Sequence, residues 1–150
     1  MKAKEFELYD QGGELRKLSD YKGKWILLYF YPKDDTPGCT IEACSLRDNF
    51  RQLEKLGVQI LGVSKDSIKS HKKFADKYNL NFPLLSDEST EMIKSYDALG
   101  KKKFMGREFE GILRKSFLID ENGEIVKVYD NVNPTKHAGE ILTDLEMLRK

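Results

Sequence analysis

The sequence predicts an α/β domain, a central mixed β-sheet flanked by helices. Three observations carry this expectation. Residues 25–31 (Trp-Ile-Leu-Leu-Tyr-Phe-Tyr) are an unbroken apolar run of strand length, the pattern of a strand covered on both faces. A helical period begins at Pro37, and a second apolar run follows at residues 58–63. Such a strand–helix–strand order gives a parallel βαβ unit. Further on, Asn122-Gly123 separates two strand-like segments and marks a hairpin that adds antiparallel strands.

The elements follow in order. Phe6 and Leu8, a Gln11-Gly12-Gly13 turn, then Leu15 and Leu18 predict a short hairpin at the edge. Pro32 has no N–H for a ladder and should end the central strand. Ala43, Leu46, Phe50, Leu53 and Leu56 fall at helical spacing, with Gly57 as the stop. Pro37 lies in the first turn, where proline is tolerated, and Thr36 is the expected N-cap. Ser64, Asp66 or Ser67 should cap a helix bearing Ile68, His71, Phe74, Ala75 and Tyr78. Residues 82–85 read as short and extended, residues 87–98 as a short helix, and the Gly/Lys-rich stretch 99–112 as a loop. Residues 116–119 and 124–129 form the two arms of the Asn-Gly hairpin. Ala138, Ile141, Leu142, Leu145 and Leu148 give a final amphipathic helix. The 150 residues show no repeat and no low-complexity linker, so a single domain over 1–150 is expected.

The formal charge is +1, without the basic excess that marks nucleic-acid binding. Lys101-Lys102-Lys103 reads as a solvated loop. No run nears the ~20 apolar residues of a membrane span, and the N-terminus lacks the apolar core of a signal peptide. A cytoplasmic protein with no nucleic-acid and no membrane partner is expected. Two cysteines do not make a disulfide scaffold in a chain of this length.

Both cysteines lie just past the second proline, and the chemistry concentrates there. Cys39 falls in the first turn of a helix that follows a buried strand. The unpaired N–H groups and the positive dipole end at that position favour thiolate over thiol. Thr36 can turn its hydroxyl toward the same sulfur or toward a bound oxygen atom, and Pro32 and Pro37 stiffen the approach. An arginine from elsewhere would add a fixed charge and paired donors. Of Arg47, Arg107 and Arg114, the last is favoured because it begins a predicted strand. In an intact helix, residues five apart lie roughly 8.6 Å apart at Cα, beyond the ~7 Å that a disulfide spans. Cys39 and Cys44 therefore bridge only if the helix start unwinds. Buried inert cysteines and a zinc site are the alternatives. Zinc wants about four clustered ligands, whereas His71 and His137 are distant in sequence and read as packing or capping residues.

The run from Tyr29 to Thr40, with Pro32, Thr36 and Cys39 at the spacing Pro-x-x-x-Thr-x-x-Cys and with Glu42, Ala43 and Cys44 beyond it, resembles the peroxiredoxin signature. It is most similar to the peroxiredoxin Q or bacterioferritin-comigratory-protein branch. The likeness continues through Gly62-Val63-Ser64, residues 82–87, residues 114–120 and residues 133–138. This resemblance implies a thioredoxin-like fold and a thiol peroxidase acting on hydrogen peroxide and organic hydroperoxides, with no cofactor. Cys39 would be the peroxidatic nucleophile and Cys44 the resolving cysteine of an intrachain disulfide. Thr36 and Arg114 would position the peroxide, and Pro32 would shield the oxidised sulfur. Thioredoxin or a similar dithiol would be the reductant, and the chain would act as a monomer. Ser116 departs from a common threonine but keeps the hydroxyl. Two other readings use the same cysteines: a non-enzymatic peroxide sensor, and a thiol–disulfide oxidoreductase. The four-residue gap between the cysteines argues against the second.

Overall fold

In a computed structural model that describes residues 1–149, the chain runs β1 (Glu7–Tyr9), β2 (Leu15–Lys17), a single 3-10 turn, β3 (Trp25–Phe30), α1 (Pro37–Asp48), α2 (Phe50–Lys55), β4 (Val58–Ser64), α3 (Ile68–Tyr78), β5 (Leu84–Ser86), α4 (Glu91–Ser95), β6 (Leu99–Phe104), β7 (Arg107–Ile112), β8 (Lys115–Ile119), β9 (Ile125–Tyr129) and α5 (His137–Leu148). Seven strands form one mixed sheet in the order β2-β1-β5-β4-β3-β8-β9. The α/β class is as the sequence predicts. Strand β3 is central, with β4 parallel on one side and β8 antiparallel on the other.

Every residue of β3 is buried, because the strand is covered on both faces. Its alternate side chains feed two separate cores. Trp25, Leu27 and Tyr29 pack with Ala43, Leu46, Phe74, Ile141 and Leu145 from α1, α3 and α5. Ile26, Leu28 and Phe30 pack with Met92, Ile93 and Tyr96 around α4. Gly62 of β4 lies opposite Tyr29 in the parallel ladder, and a Cβ there would fall 2.9 Å from the Tyr29 ring. The glycine makes room for a large aromatic at the end of the central strand.

Three expectations need correction. The helix predicted to run from Pro37 to Leu56 is broken at Asn49, whose side-chain amide donates to the Ser45 carbonyl at 2.8 Å. Asparagine competes in this way for helical acceptors. The helix expected over 87–98 is regular only at Glu91–Ser95, since Asp87 takes the Ile93 amide at 2.8 Å as an entry cap. Residues 99–112 are not a loop but the hairpin β6–β7, a separate two-stranded sheet. Met105 and Gly106 both have positive φ, +52° and +79°, as a tight two-residue turn requires. Among the described residues no helix is long and apolar enough to cross a membrane.

Candidate active site

The site is built at the end of β3. Tyr31 still donates its N–H to the Val63 carbonyl at 3.1 Å. Half-buried Pro32 follows, and the chain leaves the sheet. The turn from 31 to 36 is tied down by buried polar groups. Asp34 Oδ1 accepts from the Tyr31 hydroxyl at 2.6 Å, and its Oδ2 accepts from the Ser70 hydroxyl at 2.8 Å. His71 Nε2 lies 3.0 Å from the Leu85 carbonyl, which accepts, and its Nδ1 lies 2.7 Å from Asp34 Oδ2. The Asp34 amide donates to Asp66 Oδ2 at 2.9 Å. Next to it Asp35, at φ +56°, pairs with Lys77 at 2.7 Å and accepts from the Tyr78 hydroxyl at 2.8 Å. Helix α3 thus clamps the turn that presents α1. Asp34, Asp66 and His71 are the group among the described residues that could gather around a metal ion; every one of them is engaged within this clamp, and neither cysteine belongs to it.

Thr36 occupies the N-cap position of α1, but its hydroxyl does not cap the helix. It donates instead to the Lys33 carbonyl at 2.8 Å, which leaves the oxygen lone pairs free to accept. Cys39 stands in the first turn, 1% exposed. Of the three candidate arginines, Arg114 alone reaches it, donating from Nη2 to Sγ at 3.4 Å. Arg47 is engaged with Asp48 and the Tyr78 carbonyl, and Arg107 sits exposed beside the hairpin turn. Gly38 permits the approach, since a Cβ at that position would fall 2.9 Å from Arg114 Nη2.

Sequence reasoning missed Glu42. It is fully buried on α1, and its Oε1 accepts from Arg114 Nη1 at 2.9 Å while Oε2 has no hydrogen-bond partner among the described residues. One guanidinium therefore holds a carboxylate with one nitrogen and the sulfur with the other. Burial works against the Arg114 cation, but the Cys39 sulfur and then Glu42 hold it above the ordinary arginine value. Burial pushes the Glu42 carboxyl up to about 7, against the pull of Arg114. The signal was present in the sequence: Cys39, Glu42, Ala43 and Leu46 share one helical stripe, and a carboxylate in an apolar stripe demands a partner.

Cys44 is half-buried on the same unbroken helix, and both cysteines are free thiols. His71 and His137 are packing residues that bond their surroundings, as expected. His137 begins α5, buried against the Tyr129 ring, with Nε2 on the Ser116 hydroxyl at 2.8 Å. The Ser116 hydroxyl is thereby engaged away from Cys39. Beyond Arg114, a cavity of about 670 Å³ is lined by Lys102, Leu113, Arg114, Lys115 and residues 130–132. Lys102 comes from the hairpin that the sequence left unstructured. Burial, and then the Arg114 charge, push its ammonium down, while Cys39 acts in the opposite sense.

The arrangement suits a sulfur nucleophile whose charge is matched by a fixed cation. The chain matches the family model described as AhpC/TSA over residues 1–128. It is 46% identical over 144 residues to peroxiredoxin Bcp of Escherichia coli, covering 96% of this chain and 92% of that protein. Against peroxiredoxin Bcp of Bacillus subtilis the identity is 47% over 145 residues, covering 97% and 92%. A solved structure of the Xanthomonas campestris bacterioferritin comigratory protein, described for its alkyl peroxide reduction activity, superposes with a TM-score of 0.91 at 36% identity over 97% of this chain and 92% of that one. The likeness runs along almost the whole length of these proteins, and the chain belongs to the AhpC/TSA family, in its peroxiredoxin Q/Bcp branch of thiol-dependent peroxidases.

Proposed function

We propose that this peroxidase reduces hydrogen peroxide and small organic hydroperoxides at Cys39, resolves through Cys44 within one chain, and is returned to the dithiol by thioredoxin. The observation that carries the reading is the Arg114 guanidinium at 3.4 Å from a buried sulfur at a helix start. The thiolate of Cys39 attacks the terminal oxygen of the hydroperoxide. The S–O bond forms as the O–O bond breaks; the transferred oxygen keeps its proton as the sulfenic acid, and the departing alkoxide or hydroxide takes up from solvent the proton that Cys39 released on ionising, leaving as alcohol or water. Arg114 stabilises the charge as it passes from sulfur to the departing oxygen. Thr36 has spent its proton on Lys33 and accepts the hydroperoxide O–H, which orients the substrate. Pro32 walls the oxidised sulfur from water.

Resolution requires the first turns of α1 to unwind, because the helix holds the two cysteines too far apart. The Cys44 sulfur then displaces water from the sulfenic acid. A dithiol donates two electrons to the resulting disulfide by exchange. The cycle needs no second subunit, no metal and no organic cofactor, and the protein works as a cytoplasmic monomer built from one domain.

The test is Cys44→Ser. One equivalent of peroxide should still oxidise Cys39 at the wild-type rate, while thioredoxin-driven turnover stops. The measurement is coupled NADPH oxidation beside a single-turnover peroxide assay. Undiminished turnover with thioredoxin would remove Cys44 from the mechanism.

A further inference from the structure

The β6–β7 hairpin stands apart from the main sheet and has two unlike faces. Residues opposite each other in an antiparallel pair share a face, and the faces alternate along each strand. The register places Leu99, Ile112, Lys101, Glu110, Lys103 and Glu108 on one face. Leu99 and Ile112 belong to the core, and the charges beyond them oppose one another in sign, with Lys103 and Glu108 paired at 3.7 Å. The other face carries Gly100 and Gly111 at its base, then Lys102 opposite Phe109, then Phe104 opposite Arg107. It contains two aromatics and two cations and no acid. Lys102 and Arg107 have no acidic partner among the described residues, whereas the opposite face is neutral within itself.

The apolar groups of this second face are in water. Phe104 is 68% exposed, Phe109 47%, and Met105 at the turn 89%. Clustered exposure of this kind marks a surface that another molecule covers. The face also leads to the sulfur: Gly100 packs on the Leu113 side chain, Lys102 shares a cavity with Arg114, and Arg114 touches Cys39. Two copies of the chain meeting through this face would set Lys102 and Arg107 against their own equivalents, which disfavours self-association. An acidic partner with an apolar centre is the complement.

We propose that the Lys102, Phe104, Arg107 and Phe109 face of the hairpin is the docking surface for the protein reductant, an acidic protein carrying an exposed dithiol. This rests on the reading that a protein dithiol closes the cycle. In that step one reductant thiolate attacks the Cys39–Cys44 disulfide and forms a mixed disulfide. Its second thiol then breaks that bond, leaving the reductant oxidised and both enzyme cysteines reduced.

Two full-length variants test the surface. Phe104→Thr/Phe109→Thr removes the aromatics while keeping residues that favour a strand, and Arg107→Glu reverses one charge without touching them. Peroxide turnover is measured with a bacterial thioredoxin and its NADPH-dependent reductase, with glutaredoxin and glutathione, and with dithiothreitol. The expected result is a KM for the protein reductant raised about tenfold in each variant, with dithiothreitol-driven turnover unchanged. Added salt should raise the wild-type KM and affect Arg107→Glu less. Brisk wild-type turnover with an unchanged reductant KM in both variants overturns the docking surface alone. Wild type that turns over with dithiothreitol but with neither protein overturns the docking surface and the reductant class together. Binding to phosphatidylglycerol vesicles that both variants lose, with their reductant KM unchanged, overturns it in favour of a lipid surface.

Discussion

Replacing Cys39 by Ser is expected to abolish peroxide consumption with every reductant, and replacing Arg114 by Met to slow oxidation of Cys39 by about 10²–10³-fold, the usual cost of removing one preorganised donor. Serine keeps the shape of the site but supplies no thiolate. For Arg114 the argument is geometric. Its Nη2 lies 3.4 Å from the sulfur and its Nη1 2.9 Å from Glu42, so the guanidinium is fixed before peroxide arrives. During the attack, negative charge leaves the sulfur and gathers on the departing oxygen. A cation held in place serves both ends of that transfer without reorganising. Methionine keeps an unbranched apolar stem and removes the charge and the donors. It also leaves Glu42 buried without its cation, and burial already pushes that carboxyl up to about 7, so the neutral acid takes over and the loss of stability is limited. Arg114→Lys keeps a charge but not the two-pronged reach, and its rate should fall between the other two. Stopped-flow oxidation of the reduced enzyme by hydrogen peroxide reads the effect. A wild-type rate in Arg114→Met would remove the guanidinium from the mechanism.

The sequence made the scaffold legible wherever burial leaves a period. β3 is apolar on both faces, so its run of seven residues announced a central strand, and Asn122-Gly123 announced the β8–β9 hairpin. The hairpin at 99–112 left no such trace. Beyond Leu99 and Ile112 at its base, its side chains are Lys, Arg, Glu and Phe, with the outer residues exposed on both faces, and Met105 fills a turn position where Asn would have been the signal. In the site, Cys39 could be placed in the first turn because Pro37 starts the helix. What the Thr36 hydroxyl bonds could not be foreseen, since the choice between a cap and the Lys33 carbonyl depends on the geometry of the preceding turn. The clamp of Asp34, Asp66, Ser70 and His71 was hidden for a different reason. Its members come from separate loops and α3, up to 37 positions apart, and no local pattern marks residues that meet only through the fold.

Glu42 supplies the second large effect, and it is a pH dependence. The residue lies on α1 between the two cysteines, on the segment that must unwind before they can bridge. In the wound helix its carboxyl is pushed from an ordinary 4.5 up to about 7 by burial, and unwinding returns it to water. The wound state therefore holds this proton more tightly than the unwound one. By linkage, the contribution to helix stability is fully present below about pH 4.5, falls as pH rises through about 7, and is flat above. The interval sets an upper limit of about 3 kcal/mol, or roughly 300-fold in the unwinding equilibrium. Glu42→Gln keeps the volume and an acceptor for Arg114 but has no proton to lose. Relative to wild type, the variant should gain stability as pH is raised from 5 to 8, by up to that limit. Urea-unfolding free energies across the range measure it, and amide exchange in residues 39–46 locates it. At pH 8 the variant should also close the Cys39–Cys44 disulfide more slowly after oxidation, because its helix start lets go less often. A stability difference between the two proteins that does not change with pH would show that Glu42 keeps its ordinary charge in the wound helix, and that α1 opens for the disulfide without its help.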